Sequence, residues 1–171
     1  MTWLPFDLHP EYPPEGIPKE ELKRRYGAEV DDFLAARFAD AGLPFTPAAR
    51  VPNTQAALRL TELARACGMH EALHDRLMDA YWAEARDLGD PAVLQELAAA
   101  AGLAEDEVAL VLGGDAFGDV VAESTRQASS IGVSGIPAFL LDRQLLVLGA
   151  QPREVFERAA AQLGWSAVDD G

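Results

Sequence analysis

A chain of 171 residues with 49% apolar content can bury a sizeable core, which excludes an intrinsically disordered protein. Its length fits one domain, or a small domain carrying an insertion. A net charge of −14 argues against nucleic acid, whose phosphates require a Lys/Arg surface, and against docking on anionic lipid; solubility is its plain reading.

No apolar run approaches the roughly 20 residues that span a bilayer, so no membrane partner is expected. Met1 is followed by Thr-Trp-Leu-Pro-Phe-Asp, with neither a basic n-region nor an apolar h-region, and no secretory signal is read. One cysteine, Cys67, excludes an intramolecular disulfide framework. A reducing cytoplasm is the expected compartment.

In chain order, Trp3–Leu8 reads as a short strand of aromatic and branched residues, with Pro5 marking an edge or a bulge. The following stretch, with Pro10, Pro13, Pro14 and Pro18, is too rich in proline for a helix. Helices are then predicted over Lys19–Tyr26 and Glu29–Ala41, the second with Val30, Phe33, Leu34 and Phe38 on one face. Leu43-Pro44-Phe45-Thr46-Pro47 is an extended breaker. Asn53 is a good N-cap for a helix over Thr54–Cys67, whose apolar face is Ala56, Leu60, Leu63 and Cys67, with Gly68 closing it. Glu71–Asp87 carries Leu73, Leu77, Ala80 and Tyr81 as an inner face. Asp90-Pro91 is a cap followed by an N1 proline, which opens a helix over Pro91–Ala101 that Gly102 ends. Helices over Glu105–Leu112 and Asp115–Ile131 follow, then strands Ala138–Leu141 and Leu145–Leu148 around a turn at Asp142-Arg143. Pro152 opens a last helix through Leu163, and Ser166 to Gly171 form a loose tail.

The most informative stretch is Gly132-Val133-Ser134-Gly135-Ile136-Pro137-Ala138-Phe139-Leu140. The glycines permit a sharp loop, and Pro137 stands where the loop becomes an apolar strand, a position proline favours because it cannot donate to a ladder. An X-Pro bond is also where a cis peptide costs little, and the sequence leaves the isomer open.

Other patterns carry plainer readings. His70-Glu71-Ala72-Leu73-His74 matches H-E-x-x-H, in which two histidines bind zinc and the glutamate acts as base. Gly68 puts His70 at a helix start, and a third ligand would have to come from His9 or a carboxylate such as Glu96. Both histidines are therefore read as exposed helix residues, and no metal is expected. Cys67 is read as a core residue near a helix C-terminus, where the dipole disfavours a thiolate. Glu20-Glu21, Asp31-Asp32 and Glu105-Asp106-Glu107 are adjacent carboxylates that do not face one another on a helix, so they are solvated surface. Gly113-Gly114-Asp115 is a turn.

The loop Gly132–Phe139, followed by Gly149-Ala150-Gln151-Pro152, resembles the cis-proline loop, hairpin and last helix of DsbA-family proteins, in particular the FrnE-like subgroup. Trp3-Leu4-Pro5-Phe6-Asp7-Leu8-His9-Pro10 resembles the strand that leads into that family's helical insert. Pro52-Asn53-Thr54, with Ala57, Arg59 and Leu60, resembles the Asn-Thr helix start of that subgroup and of the glutathione-dependent 2-hydroxychromene-2-carboxylate isomerases.

The resemblance implies an α/β fold class: a thioredoxin-like fold, N-terminally truncated to about three strands, with a large all-α insertion domain. Residues 1–15 and 129–165 would form the thioredoxin-like half, 16–128 the insert and 166–171 the tail.

The resemblance also implies thiol–disulfide exchange, which needs a thiolate at a helix N-terminus. Family members begin with a strand and a Cys-X-X-Cys helix, or Ser-X-X in the isomerases, and this sequence has neither. The absent strand would lie between Trp3–Leu8 and Ala138–Leu141, so the strands close up, another chain fills the slot, or the natural protein starts upstream, the alternative favoured here. No catalytic residue is assigned. Ile136 and Pro137 are implied as half of a substrate clamp, and Asn53 and Thr54 as polar lining of the cleft. The expected partner is a polypeptide thiol or disulfide, or a small thiol, with glutathione as the one cofactor candidate. The alternatives are a glutathione-dependent isomerase or transferase, and a binding or chaperone-like module that forms a homodimer.

Overall fold

Helices dominate the computed structural model, which describes residues 1–27 and 29–165. The expected loose tail, Ser166 to Gly171, lies outside the described residues. The element order is β1 (Ile17–Pro18), α1 (Lys19–Tyr26), α2 (Val30–Asp40), β2 (Arg50–Val51), α3 (Gln55–Ala66), α4 (His70–Trp82), α5 (Pro91–Ala100), α6 (Glu105–Gly113), α7 (Gly118–Ser130), β3 (Ala138–Leu141), β4 (Leu145–Leu148) and α8 (Arg153–Gln162). The chain divides into two compact units, Met1–Thr125 and Arg126–Gly171.

The first unit is built on an apolar cluster. Helix α3 packs on α4 and α6, and α5 on α4 and α6. Leu60, Leu73, Leu94 and Leu97, each 0% exposed, fill the space between them with Val108 and Val111. The predicted inner face of α4 is the observed one, with Leu73, Leu77 and Ala80 buried. Asp90 caps α5 by accepting from the Ala92 N–H at 2.8 Å, Pro91 is its first residue, and Gly102 leaves it at φ 93°.

The sequence reading errs in this unit where burial depends on distant partners. Helix α2 forms but buries none of its residues; Phe33 is 60% exposed, with the Arg37 guanidinium 5.6 Å from its ring centroid. Only Phe38 of the expected face meets other rings, those of Phe45 and Trp82. Helix α4 ends at Trp82, short of the expected Asp87, and Ala85 takes a positive φ of 54° just beyond. Cys67 is exposed at the C-cap of α3 and does not belong to the core. The buried stripe of α3 is Ala57, Leu60, Thr61, Glu62, Leu63 and Ala64, and the chain turns off the helix before that stripe reaches Cys67.

Trp3–Leu8 joins no ladder, so the third expected strand is absent among the described residues. Pro5 has no N–H to give, and side chains of α7 satisfy its neighbours instead. Ser124 Oγ donates to the Pro5 carbonyl at 2.7 Å, and the Asp7 N–H donates to Thr125 Oγ1 at 2.9 Å. A small antiparallel pair that the sequence reading missed pairs Ile17 with Val51 and Pro18 with Arg50. The Arg50 guanidinium locks it by donating to the Glu15 carbonyl at 2.7 Å and the Gly16 carbonyl at 3.1 Å. Gly16 is required there: its φ is 68°, and a Cβ would overlap the Val51 carbonyl oxygen.

Burial pushes the Asp31 carboxyl up, but Lys19 and Lys23, at 2.5 and 3.3 Å, outweigh it and hold the group below its usual 3.8. An acid whose pKa is depressed by folding adds stability above the unfolded value and loses it as pH falls. Asp31→Asn is therefore expected to cost stability at pH 7 and little at pH 2, read by urea unfolding at both. In the same assay at pH 7, Leu94→Ala should cost about 2–5 kcal/mol. Phe33→Ala should stay within about 0.5 kcal/mol.

Candidate functional site

The second unit is organised by the end of α7. Gly132, at φ 97°, donates its N–H to Ser129 O at 3.0 Å, and Val133 donates to Ala128 O at 3.1 Å, which closes the helix in a Schellman arrangement. Val133 is buried and anchors the loop, while Ile136, 58% exposed, and Pro137 stand in solvent. The Ile136–Pro137 peptide bond is cis.

Both predicted strands form with the predicted bounds, in an antiparallel hairpin that pairs Ala138 with Leu148, Phe139 with Val147, Leu140 with Leu146 and Leu141 with Leu145. Asp142 and Arg143 both take positive φ, 49° and 56°, at the expected turn. Phe139 meets Phe156 of α8 edge-on, with ring centroids 5.0 Å apart. Directly opposed residues share a sheet face. Phe139 and Val147 therefore lie on the α8 side, and Ala138, Leu140, Leu146 and Leu148 lie on the other. Leu140 and Leu148 remain 48% and 42% exposed.

The Gly149 N–H donates to Pro137 O at 2.8 Å, which sets the phase of the ladder. Hydrogen-bonded pairs alternate along antiparallel strands, so Phe139 and Leu141 bond inward to β4. The N–H and C=O groups of Ala138 and Leu140 point outward, and β3 has no other strand beside it among the described residues. A groove of about 340 Å³ on the α8 side is lined by Leu145, Val147, Val155 and Arg158. This unit thus presents an unpaired strand edge headed by an exposed Ile-Pro step, a geometry suited to an extended polypeptide.

Asn53 and Thr54 belong to the first unit, Ile136 and Pro137 to the second. Asn53 braces the start of α3: its Oδ1 accepts from the Gln55 N–H at 3.0 Å and its Nδ2 donates to the Tyr12 carbonyl at 2.8 Å. The N-cap itself is Thr54, whose side chain makes no capping bond. Sequence reasoning had no signal for the Tyr12 contact, which spans a separation of 41 residues.

His70 is the first residue of α4, as Gly68 implied, but both histidines are only partly exposed because their rings stack on each other, with centroids 5.7 Å apart. Among the described residues no three His, Cys, Asp or Glu side chains gather as a metal site. Cys67 Sγ lies 3.9 Å from Glu107 Oε2. No helix among the described residues is long and apolar enough to cross a membrane.

The family model of the DSBA-like thioredoxin domain matches residues 1–161. A probable DsbA oxidoreductase of Streptomyces coelicolor, SCO1869, has a crystal structure that superposes with a TM-score of 0.84 at 35% identity, covering 95% of this chain and 75% of that one. The protein YwbO of Bacillus subtilis (strain 168), itself described as uncharacterized, is 23% identical over 160 residues, covering 93% of this chain and 80% of its own length.

Asn53→Ala removes both bonds of the brace. It should cost about 1–3 kcal/mol in urea unfolding, a loss that Asn53→Asp, which keeps the acceptor, recovers in part.

Proposed function

The chain belongs to the DSBA-like thioredoxin domain family, and from that premise we propose that these 171 residues hold an extended polypeptide along Ile136–Pro137 and the open edge of β3 without completing dithiol exchange. The observation that carries this reading is the edge of β3, which has no second partner strand among the described residues and is headed by the exposed Ile136–Pro137 step. The single cysteine stands at the C-cap of α3 and not at a helix N-terminus, where a thiolate would be favoured.

Exchange proceeds when a thiolate attacks a disulfide sulfur, forming a mixed disulfide and releasing the other sulfur as thiolate. A second thiol must then attack the mixed disulfide and release the substrate. One cysteine supports at most the first half. In the proposed complex the outward N–H and C=O groups of Ala138 and Leu140 pair with the substrate backbone, and Ile136 contacts its side chains.

The exposure of Cys67 favours a second reading, in which a small thiol such as glutathione supplies the resolving sulfur. The chain would then act on a small thiol, as a glutathione-dependent isomerase or transferase does. Retention on a glutathione resin separates this reading from the first.

The first reading is tested with a fluorescent, fully alkylated unfolded polypeptide, which has no thiol to exchange. Anisotropy should report binding that Ile136→Asp weakens at least about tenfold, while circular dichroism stays unchanged. Equal binding by the variant would remove the loop from the proposal.

A further inference from the structure

In the first unit Trp3, His74 and His70 form a continuous stack on the surface of α4. The Trp3 and His74 ring centroids are 5.0 Å apart with planes 23° from parallel, and those of His74 and His70 are 5.7 Å apart with planes at 12°. Arg65 of α3 ties the stack down by donating from Nη2 to the Trp3 carbonyl at 2.5 Å, while its Nε bonds the Glu62 carboxylate at 3.2 Å. Nothing in the proposed polypeptide site uses these residues.

We propose that this ring stack is an acid-sensitive latch, which holds the Trp3–Leu8 segment on α3 and α4 at neutral pH and releases its Trp3 end when His70 takes up a proton. The reason is a crowding of positive charge. His70 opens α4, where the positive end of the helix dipole disfavours a cation. Its neighbours from α3 are Arg65 and Glu62, and those from α4 are His74 and Glu71.

Burial, then Arg65 and His74, hold the His70 imidazole below its usual 6.5, against the smaller opposing pull of Glu62 and Glu71. Glu62 is already paired with Arg65. A cation on His70 repels the Arg65 guanidinium and disturbs the stack it shares with His74. These are the two groups that grip Trp3, one by its carbonyl and one by its ring.

The sign follows from linkage. A base whose pKa is depressed in the latched state favours that state above its unperturbed pKa, and the preference is lost as pH falls through the depressed value. Each unit between the latched and released His70 pKa is a tenfold change in the latched population. The freed end carries Trp3, while Pro5 and Asp7 stay tied to Ser124 and Thr125.

The test follows the indole N–H signals of the ¹⁵N-labelled full chain from pH 8 to 5, with Trp3 assigned by Trp3→Phe and the His70 ring titrated in the same samples. The expected result is a Trp3 transition that tracks His70 with a midpoint below 6.5 and is absent in both His70→Gln and His74→Phe. A Trp3 signal unchanged over this range, or the same transition in His70→Gln, would overturn the latch. The second outcome would assign the acid response to carboxylates.

Discussion

The obligation of every backbone N–H and C=O to find a partner shapes this chain more than any single side chain does. The helices meet it internally. The segments between them meet it one by one: Arg50 for the turn before β1, Asn53 for the start of α3, Ser124 and Thr125 for Pro5–Asp7. Among the described residues strand β3 meets it on one side only, through β4. The functional reading rests on that unmet edge, because an open ladder beside an exposed Ile-Pro step is a surface on which another extended chain can pair.

The two units use different means of stability. The first has a core of fully buried leucines between α3, α4, α5 and α6, which needs nothing further to explain its helices. The second is a hairpin and one helix pinned by Val133, Val147, Ala159 and the Phe139–Phe156 contact, with aliphatic residues left in solvent on its other face.

Much of this was legible in the sequence where the signal is local. The Asp90-Pro91 cap, the Gly102 stop, the Asp142-Arg143 turn and both strands around it stand where turn and cap chemistry put them. What failed depended on distant partners. Trp3–Leu8 has the composition of a strand but takes its hydrogen bonds from α7 side chains more than a hundred residues away. Cys67 has helical spacing with Leu60 and Leu63, but burial along α3 stops at Ala64 and the helix ends at Ala66. The β1–β2 pair is two residues long on each side, too short to leave a period. Of the candidate site, the loop and its proline were legible, because glycine and proline constrain the backbone by themselves. The brace by Asn53 and the stack on His74 were not, because each depends on a partner far along the chain.

The central claim is that this chain binds polypeptide and does not complete disulfide exchange. The most direct measurement is the intact mass of the chain after incubation with a peptide carrying an activated disulfide, timed against free glutathione on the same peptide. The account predicts that Cys67 forms a mixed disulfide no faster than glutathione does, and that added thiol leaves no catalysed release of reduced peptide. A Cys67–peptide adduct that forms well ahead of glutathione and turns over would contradict it, and would make the exposed cysteine, not the Ile136–Pro137 loop, the functional centre of the molecule.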